Sequence, residues 1–412
     1  MQIHNGSIKW RLNYDADFNG HKSVARVWQQ FQDCILKGLA MYKCIYTGNE
    51  FSEADGEHIL QNFLGARWTS SEISSNEAQS KFGSGIDAAL EQGLREIRNL
   101  LGTKGGRGGD GPTLKNVSSS SGTRYALPPG GVPMIAEPVI KTRPLTDGKH
   151  EVQVIMGDMR QVGWAVAKLK QSFPGAEFDI DELKQQAVQE SSYIDDRLNL
   201  KSGLGGDEFF RGALKSAFNL LGARNVEVAL LPMFDALRKF VLNGIGRCPD
   251  FVRWLTTPEE VVLPHLGEFD HFLAVYSKDG CVDGYIQFFG EIGYLIRLGC
   301  GYVGPDFRYG YLVDPFRESE PAETRLPEFE VKNIPLFESG NELPTESVWP
   351  VYGTRFSRIL ERYYRRADEM NLSKIVDDVL LPYDGQVIRR EMTDELSRRA
   401  AEYIVHRLFS GQ

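Results

Sequence analysis

The strongest constraint on how this chain folds is a change of hydrophobic period along its length. From Ser70 to Leu101 the residues Ile73, Phe82, Ile86, Leu90, Leu94, Ile97 and Leu101 recur mostly at steps of three and four, which gathers them on one face of a helix. Gly83 and Gly85 weaken the middle of that run and predict two helices there. Between His271 and Phe316 the pattern differs. Four aromatic and β-branched runs, HFLAVYSKDG, CVDGYIQFFG, EIGYLIRLGC and FRYGYLVDPF, are separated by turn residues at intervals of about ten, the signature of an antiparallel meander. Ser277-Lys278-Asp279-Gly280 fits its first hairpin turn. Helical spacing returns near the C-terminus in RFSRILERYYRRADEM and MTDELSRRAAEYIVHRLF. Elements of both kinds, segregated along the chain, predict an α+β protein.

Further elements follow from the same patterning. Residues 23–41 place Val24, Val27, Phe31, Ile35 and Leu39 at helical spacing, after an N-terminal segment 1–22 that carries no chemistry. VQVIMG reads as a strand followed by a helix, RQVGWAVAKLKQSF; GDEFFRGALKSAFNLLGAR and VALLPMFDALRKFVLNG read as two more helices. Residues 102–131, rich in Gly, Ser and Pro, read as a mobile linker or a loop ordered by a ligand, and the domain boundary is placed there. The division is 23–125 for the first module, with its Gly-rich loop, and 150–412 for a larger α+β domain. No internal repeat is visible.

Composition excludes some classes. With 412 residues, 42% hydrophobic and 25% charged, the chain is of soluble globular type and long enough for about two or three domains. No stretch approaches the ~18–20 apolar residues of a membrane span, and the N-terminus is too polar for a secretory signal, so no membrane partner and a cytoplasmic setting are expected. Five scattered cysteines without a CxxC pair argue against a disulfide framework and fit a reducing compartment. A net charge of −9 does not favour non-specific coating of nucleic acid, although Arg95, Arg98, Lys104, Arg107, Lys115 and Arg124 gather between residues 95 and 125, against the acids of 316–347.

The stretch that carries chemistry runs from Cys44 to about Leu101. A hairpin opened by Cys44 turns at Gly48-Asn49, Glu57-His58-Ile59 follows, then Leu64-Gly65, a helix start near Ser75-Asn76, Phe82-Gly83 and Ile86-Asp87. In that order these residues resemble the HNH (ββα-metal) endonuclease family, in its bacterial EHI-type form. The resemblance implies a small ββα-metal nuclease module ahead of the larger α+β domain with its meander and C-terminal helices. It also implies a metal-dependent endonuclease that hydrolyses phosphodiester bonds of nucleic acid, with DNA the expected substrate, and a setting in anti-phage defence or mobile elements.

Phosphodiester hydrolysis needs a base to activate water and a cation to stabilise the crowded phosphate. By the family pattern His58 is the general base and Glu57 a metal ligand. The last ligand falls on Gln79 or Asn76, three residues apart on one helical face, and both remain open. Their oxygens suit Mg²⁺ or Mn²⁺. Neighbours on a strand point to opposite faces, so a backbone irregularity is needed to bring Glu57 and His58 to one site. The chain departs from zinc-knuckle members: Cys44 is present, but Thr47, Ser75 and Ala78 stand at the other three cysteine positions, so no structural zinc is expected. An apolar core of Ile45, Phe51, Ile59, Phe63, Leu64, Trp68 and Phe82 would hold the module instead.

Arg95, Arg98, Lys104 and Arg107 are candidate phosphate contacts, set against the blander reading of a solvated helix face and a flexible loop. Gly205-Gly206-Asp207-Glu208-Phe209 spells a diguanylate cyclase signature but is followed by a helical run, so it reads as a helix N-terminus. His265 and His271, flanking Asp270, are most simply partly buried structural histidines. Two functions remain: a nuclease whose C-terminal domain positions, senses or restrains it, with a partner protein or a second copy of the chain bound there, or a degenerate HNH fold kept as a nucleic-acid or protein binding module.

Overall fold

The computed structural model describes residues 41–52, 54–131, 133–145, 150–188, 197–255, 266–317, 329–331, 334, 337 and 345–410. The N-terminal segment, the helix expected at 23–41 (save Met41), His265 and most of the acidic stretch 316–347 lie outside the described residues.

Strand β1 (Tyr42–Lys43) pairs antiparallel with β2 (Glu50–Phe51) around a turn in which Gly48 takes φ +72° and donates its N–H to Cys44 O. Strand β3 (Glu57–His58) pairs with β4 (Thr69–Ser70). Between them a 3-10 turn, Asn62–Leu64, ends on Gly65 in the left-handed region. Helix α1 (Asn76–Ser80) starts where the Ser75 hydroxyl accepts the Ala78 N–H, satisfying one of the orphan donors of a helix start. Gly83 and Gly85 then fall in a widened π-type turn, Phe82–Asp87, that leads into α2 (Ala88–Leu101). The local order is two antiparallel strand pairs followed by a helix.

Residues 102–131 are not simply a linker. The glycine loop after α2 packs on the turn before β4: Gly106 donates to Asn62 O, and a Cβ at 106 would sit 2.0 Å from Ala66 O. Strands β5 (Leu114–Ser119) and β6 (Arg124–Leu127) follow, in a sheet of order β10-β5-β6-β7 with β7 (Met134–Ile135) and β10 (Leu198–Asn199). The Gly and Ser content hid the few apolar positions that matter, since Leu114, Val117 and Leu127 bury together. Strands β8 (Val139–Pro144) and β9 (His150–Ile155) form a hairpin followed by α3 (Val162–Ser172) and α4 (Ile180–Gln186).

Helix α5 (Asp207–Arg224) runs through the centre of the molecule, buried almost throughout from Phe209 to Gly222. The helix expected at 228–244 is instead α6 (Val226–Ala229) and α7 (Asp235–Asn243), divided at Pro232, which has no N–H to continue the ladder. Strands β11 (Val252–Trp254), β12 (His271–Lys278), β13 (Cys281–Phe288), β14 (Ile292–Cys300) and β15 (Arg308–Val313) form an antiparallel sheet of order β11-β14-β13-β12-β15. The meander therefore holds for β12 to β14, with Asp279-Gly280 in the left-handed turn between the first two, while β15 crosses back to pair with β12. Helices α8 (Thr345–Leu380) and α9 (Arg390–Ser410) pack on each other, with Tyr403 OH donating to Asp368 at 2.6 Å.

Two expectations change. Cys281 and Cys300, directly opposite on β13 and β14, form a disulfide, so cysteine usage no longer supports a reducing compartment. Spacing alone had no means of finding a bond that only strand register creates. The boundary expected between 125 and 150 also does not separate two cores: one apolar cluster joins Cys44, Leu90 and Ile97 to α5, the five-stranded sheet and Ile359 of α8. Mixed helix and sheet is as expected of an α+β chain. No helix among the described residues is long and apolar enough to cross a membrane.

Close approach of α5 to the π turn sets a test. A Cβ on Gly212 would lie 2.7 Å from Ile86 O, a backbone atom that is not free to swing aside. Gly212→Ala is expected to destabilise the protein by about 1–3 kcal/mol, read as a lower denaturation midpoint. An unchanged midpoint would show that the helix and the turn do not pack this closely.

Candidate functional site

The site is built where β3 meets α5. Glu57 pairs with Ser70 and His58 with Thr69 in regular register, so the alternation of a strand is kept rather than broken. Glu57 is buried against α5 and His58 is half-buried. The irregularity needed to turn both side chains toward one ion is absent from this pairing.

Lys215, with its side chain 2% exposed, stands between two carboxylates. Its Nζ donates to Glu57 Oε1 at 2.6 Å and to Asp87 Oδ2 at 2.8 Å. Gln61 Nε2 donates to Asp87 Oδ1 at 3.0 Å and to Gly212 O at 3.1 Å, and Ser216 Oγ donates to Gln61 Oε1 at 2.9 Å. Asn219 Nδ2 donates to His58 O at 2.8 Å and reaches Glu57 Oε1 at 3.4 Å, while Tyr46 OH donates to Asn219 Oδ1. Burial works against the ammonium, but Asp87 and Glu57 outweigh it and raise the Lys215 pKa, so the lysine stays charged. The network is nearly closed on itself, as buried charges require.

The other expected ligands are engaged elsewhere. Asn76 Oδ1 accepts the Asp55 N–H at 2.9 Å, and Gln79 Nε2 donates to Asp55 O at 2.8 Å and to Ser74 O at 3.1 Å. Together they clasp the loop before β3 to α1. A hard divalent cation takes oxygen donors, carboxylates above all. The one carboxylate in the expected set is ion-paired to Lys215 and the Asn76 oxygen is taken by backbone, which leaves the Gln79 amide oxygen as a single neutral donor. Among the described residues no group of three or more His, Cys, Asp or Glu is arranged to hold a metal. The residues present do not fit Mg²⁺ or Mn²⁺.

His58 is different. Both ring nitrogens are buried without a hydrogen-bond partner. Burial, with the Arg107 and Lys215 charges adding and Asp87 opposing, pushes its pKa down to about 4. The ring is therefore neutral near pH 7 and able to accept a proton.

Of the four positions at which zinc-knuckle members carry cysteine, 44, 47 and 75 come together. The Cys44 sulfur is buried; that burial raises its pKa, but hydrogen bonds from the Thr47 side chain and the Ser75 backbone outweigh it and lower the pKa on balance. Ser75 Oγ in turn accepts from Ala78. Small polar contacts stand where a metal-thiolate cluster would require four donors.

The candidate phosphate contacts separate into two kinds. Arg98 is buried, ion-paired to Glu91 at 2.9 Å and placed 5.9 Å from the Phe63 ring, and Arg95 is paired to Glu96 at 2.9 Å. These two brace α2. Lys104 and Arg107 are exposed on the glycine loop, and exposed Arg67 follows Ala66, on which Gly106 of that loop packs. Arg224 lies 4.6 Å over the adjoining Trp68 ring.

Lys215, Asn219, Gln61 and Tyr46 were missed from the sequence. One signal was present: a lysine inside GALKSAFNLLGA, a helix apolar nearly all round, must find a buried anion or not be buried. His271 is a structural histidine, its Nδ1 accepting the Phe289 N–H at 3.2 Å. Gly206 caps α5, so the GGDEF-like run is the helix N-terminus expected of it.

Removing Lys215 leaves Glu57 buried and uncompensated. Lys215→Met is expected to cost about 3–5 kcal/mol in denaturant unfolding, and a second change, Glu57→Gln, to recover more than half of it. A simple sum of two losses would mean the pair is not coupled.

Acid sensitivity gives a second test. Unfolded, the His58 ring titrates near ~6.5, and folded it takes up a proton only near 4. The unfolded state thus binds more protons between these values, so stability present above pH ~6.5 is lost as pH falls toward 4. Buried His271, pushed down to about 3, acts in the same direction. His58→Gln is expected to flatten the stability profile between those pH values, by up to about 3 kcal/mol. A slope identical to wild type would place the ring in water.

Comparison with protein-family models, with curated proteins and with solved structures found no match.

Proposed function

We propose that residues 41–111 are an HNH-like ββα module that keeps a nuclease scaffold without its metal centre. On this reading the chain acts by binding nucleic acid, DNA in the first instance, at the rim carrying Arg67 and Arg107. The observation that carries the proposal is the Lys215 ammonium between Glu57 and Asp87. A divalent ion at Glu57 would have to displace a lysine rooted in the central helix, and leave that lysine buried without its partner.

The scaffold side of the reading is supported by the β3–β4 pair followed directly by α1, and by the gathering of positions 44, 47 and 75 around one sulfur. The binding side is supported by two exposed arginines on loops that pack together, in a chain whose overall charge is −9. Such a local cationic rim holds phosphates without reading sequence. Asn62 and Ala66 fix the loop backbone, so binding need order only the arginine side chains.

A hydrolytic reading is favoured by one observation, the unpartnered neutral ring of His58 beside the Arg107 charge. It supplies a base but no cation.

Fluorescence anisotropy with labelled duplex and single-stranded DNA, and with RNA, tests the first reading. Binding is expected to weaken with salt and to be unaffected by EDTA. Arg67→Ala with Arg107→Ala is expected to lower affinity about ten-fold or more and the salt slope by about two. Plasmid incubated with Mg²⁺ or Mn²⁺ is expected to stay intact. Metal-stimulated nicking that disappears in His58→Ala would replace the binding module with a nuclease.

A further inference from the structure

A cleft of about 820 Å³ lies beyond residues 41–111, between the β5–β6 turn, the β8–β9 hairpin and α3. That volume is in the range of small-molecule sites, about 300–1,000 Å³. Its lining is mixed, with hydroxyls and cations beside Ile140, Val139 and Phe173.

The polar part of the lining is shaped by a tight turn. Ser119 N–H donates to Thr123 O at 2.8 Å and Gly122 N–H to Ser119 O at 3.0 Å, with Gly122 at φ +88°. Side-chain oxygens of Ser119, Ser121 and Thr123 follow one another at 3.0 and 3.4 Å, a chain of hydroxyls able to hand a donor to an anion. Arg124 and Lys168 face the same space against one acid, Glu137, which lies 3.4 Å from Arg124. Lys168 Nζ donates to Pro138 O at 3.1 Å, which fixes the ammonium at the cleft while using one of its three N–H groups. Also in the lining, the Phe173 ring meets His150 with centroids 5.5 Å apart, giving an aromatic wall.

We propose that this cleft binds a phosphorylated small molecule bearing a planar ring, of the nucleoside monophosphate class. The phosphate would lie among Arg124, Lys168 and the serine-threonine turn, where charge-assisted hydrogen bonds are strongest. A phosphate alone fills a small part of the volume, and the aromatic wall takes the ring. The proposal shares no residue with the Lys215 network or the Arg67–Arg107 rim, so it stands or falls separately from the function proposed above.

Isothermal titration of the full chain with AMP and UMP tests it, with adenosine and inorganic phosphate as the two halves and a 5′-phosphorylated oligonucleotide as the alternative source of the same group. A nucleoside monophosphate is expected to bind at one site, with each half at least about ten-fold weaker. Lys168→Ala and Arg124→Ala are each expected to weaken AMP about ten-fold or more, the value of a charged hydrogen bond. Arg124 is exposed, so its variant tests the site even if Lys168→Ala loosens the Pro138 segment. Phe173→Ala is expected to reduce the preference for the nucleotide over inorganic phosphate. In the Arg67→Ala/Arg107→Ala background, which removes the rim, tighter binding of the oligonucleotide than of AMP would overturn the proposal; so would absence of binding at millimolar nucleotide, or equal binding of AMP by Arg124→Ala and wild type.

Discussion

A single ammonium group inside the protein determines how the rest of the site is arranged. Lys215 projects from the central helix into a region where an unpaired charge would cost several kcal/mol, and two carboxylates from the ββα module close on it. Gln61 satisfies the second oxygen of Asp87, and Asn219 adds a contact to the Glu57 oxygen that Lys215 binds. Because Glu57 and Asp87 lie before and after α1 while Lys215 lies on α5, the network also fastens the module to the helix that carries the five-stranded sheet. The module and the sheet share one apolar cluster for the same reason: neither face of α5 is left over.

This arrangement has a chemical consequence. A carboxylate can neutralise a lysine or help hold a dication, and at 2.6 Å from Nζ the Glu57 oxygen does the first. The Asn76 oxygen accepts from the backbone of Asp55, and Gln79 is held to the same residue through its Nε2. What is left of the expected constellation is His58, a neutral ring with nothing bound to it. The basic residues divide in the same way, since Arg95 and Arg98 serve the helix while Arg107 and Arg67 stand at the surface.

Much of the local structure was legible in the sequence. The helical run ending at Leu101, the strands and turns from His271 to Phe288, the helix at Asp207 and the two C-terminal helices all follow from period and turn residues. Misreadings came where composition conceals a few decisive contacts. Leu114, Val117 and Leu127 make strands of a stretch dominated by Gly and Ser, and β15 pairs with β12 although it follows β14 in sequence. The Cys281–Cys300 bond depends on the same register.

The sequence by itself determined the α+β pattern and the order of strands before helix between Cys44 and Leu101, because these depend on spacing between near neighbours. Only the tertiary structure decided what the candidate groups touch. Glu57 and Lys215 are 158 residues apart, and no local pattern sets the distance between them. Which partner a buried carboxylate finds, a metal or a lysine, is settled by how a remote helix packs, and that choice separates a hydrolytic centre from a structural one.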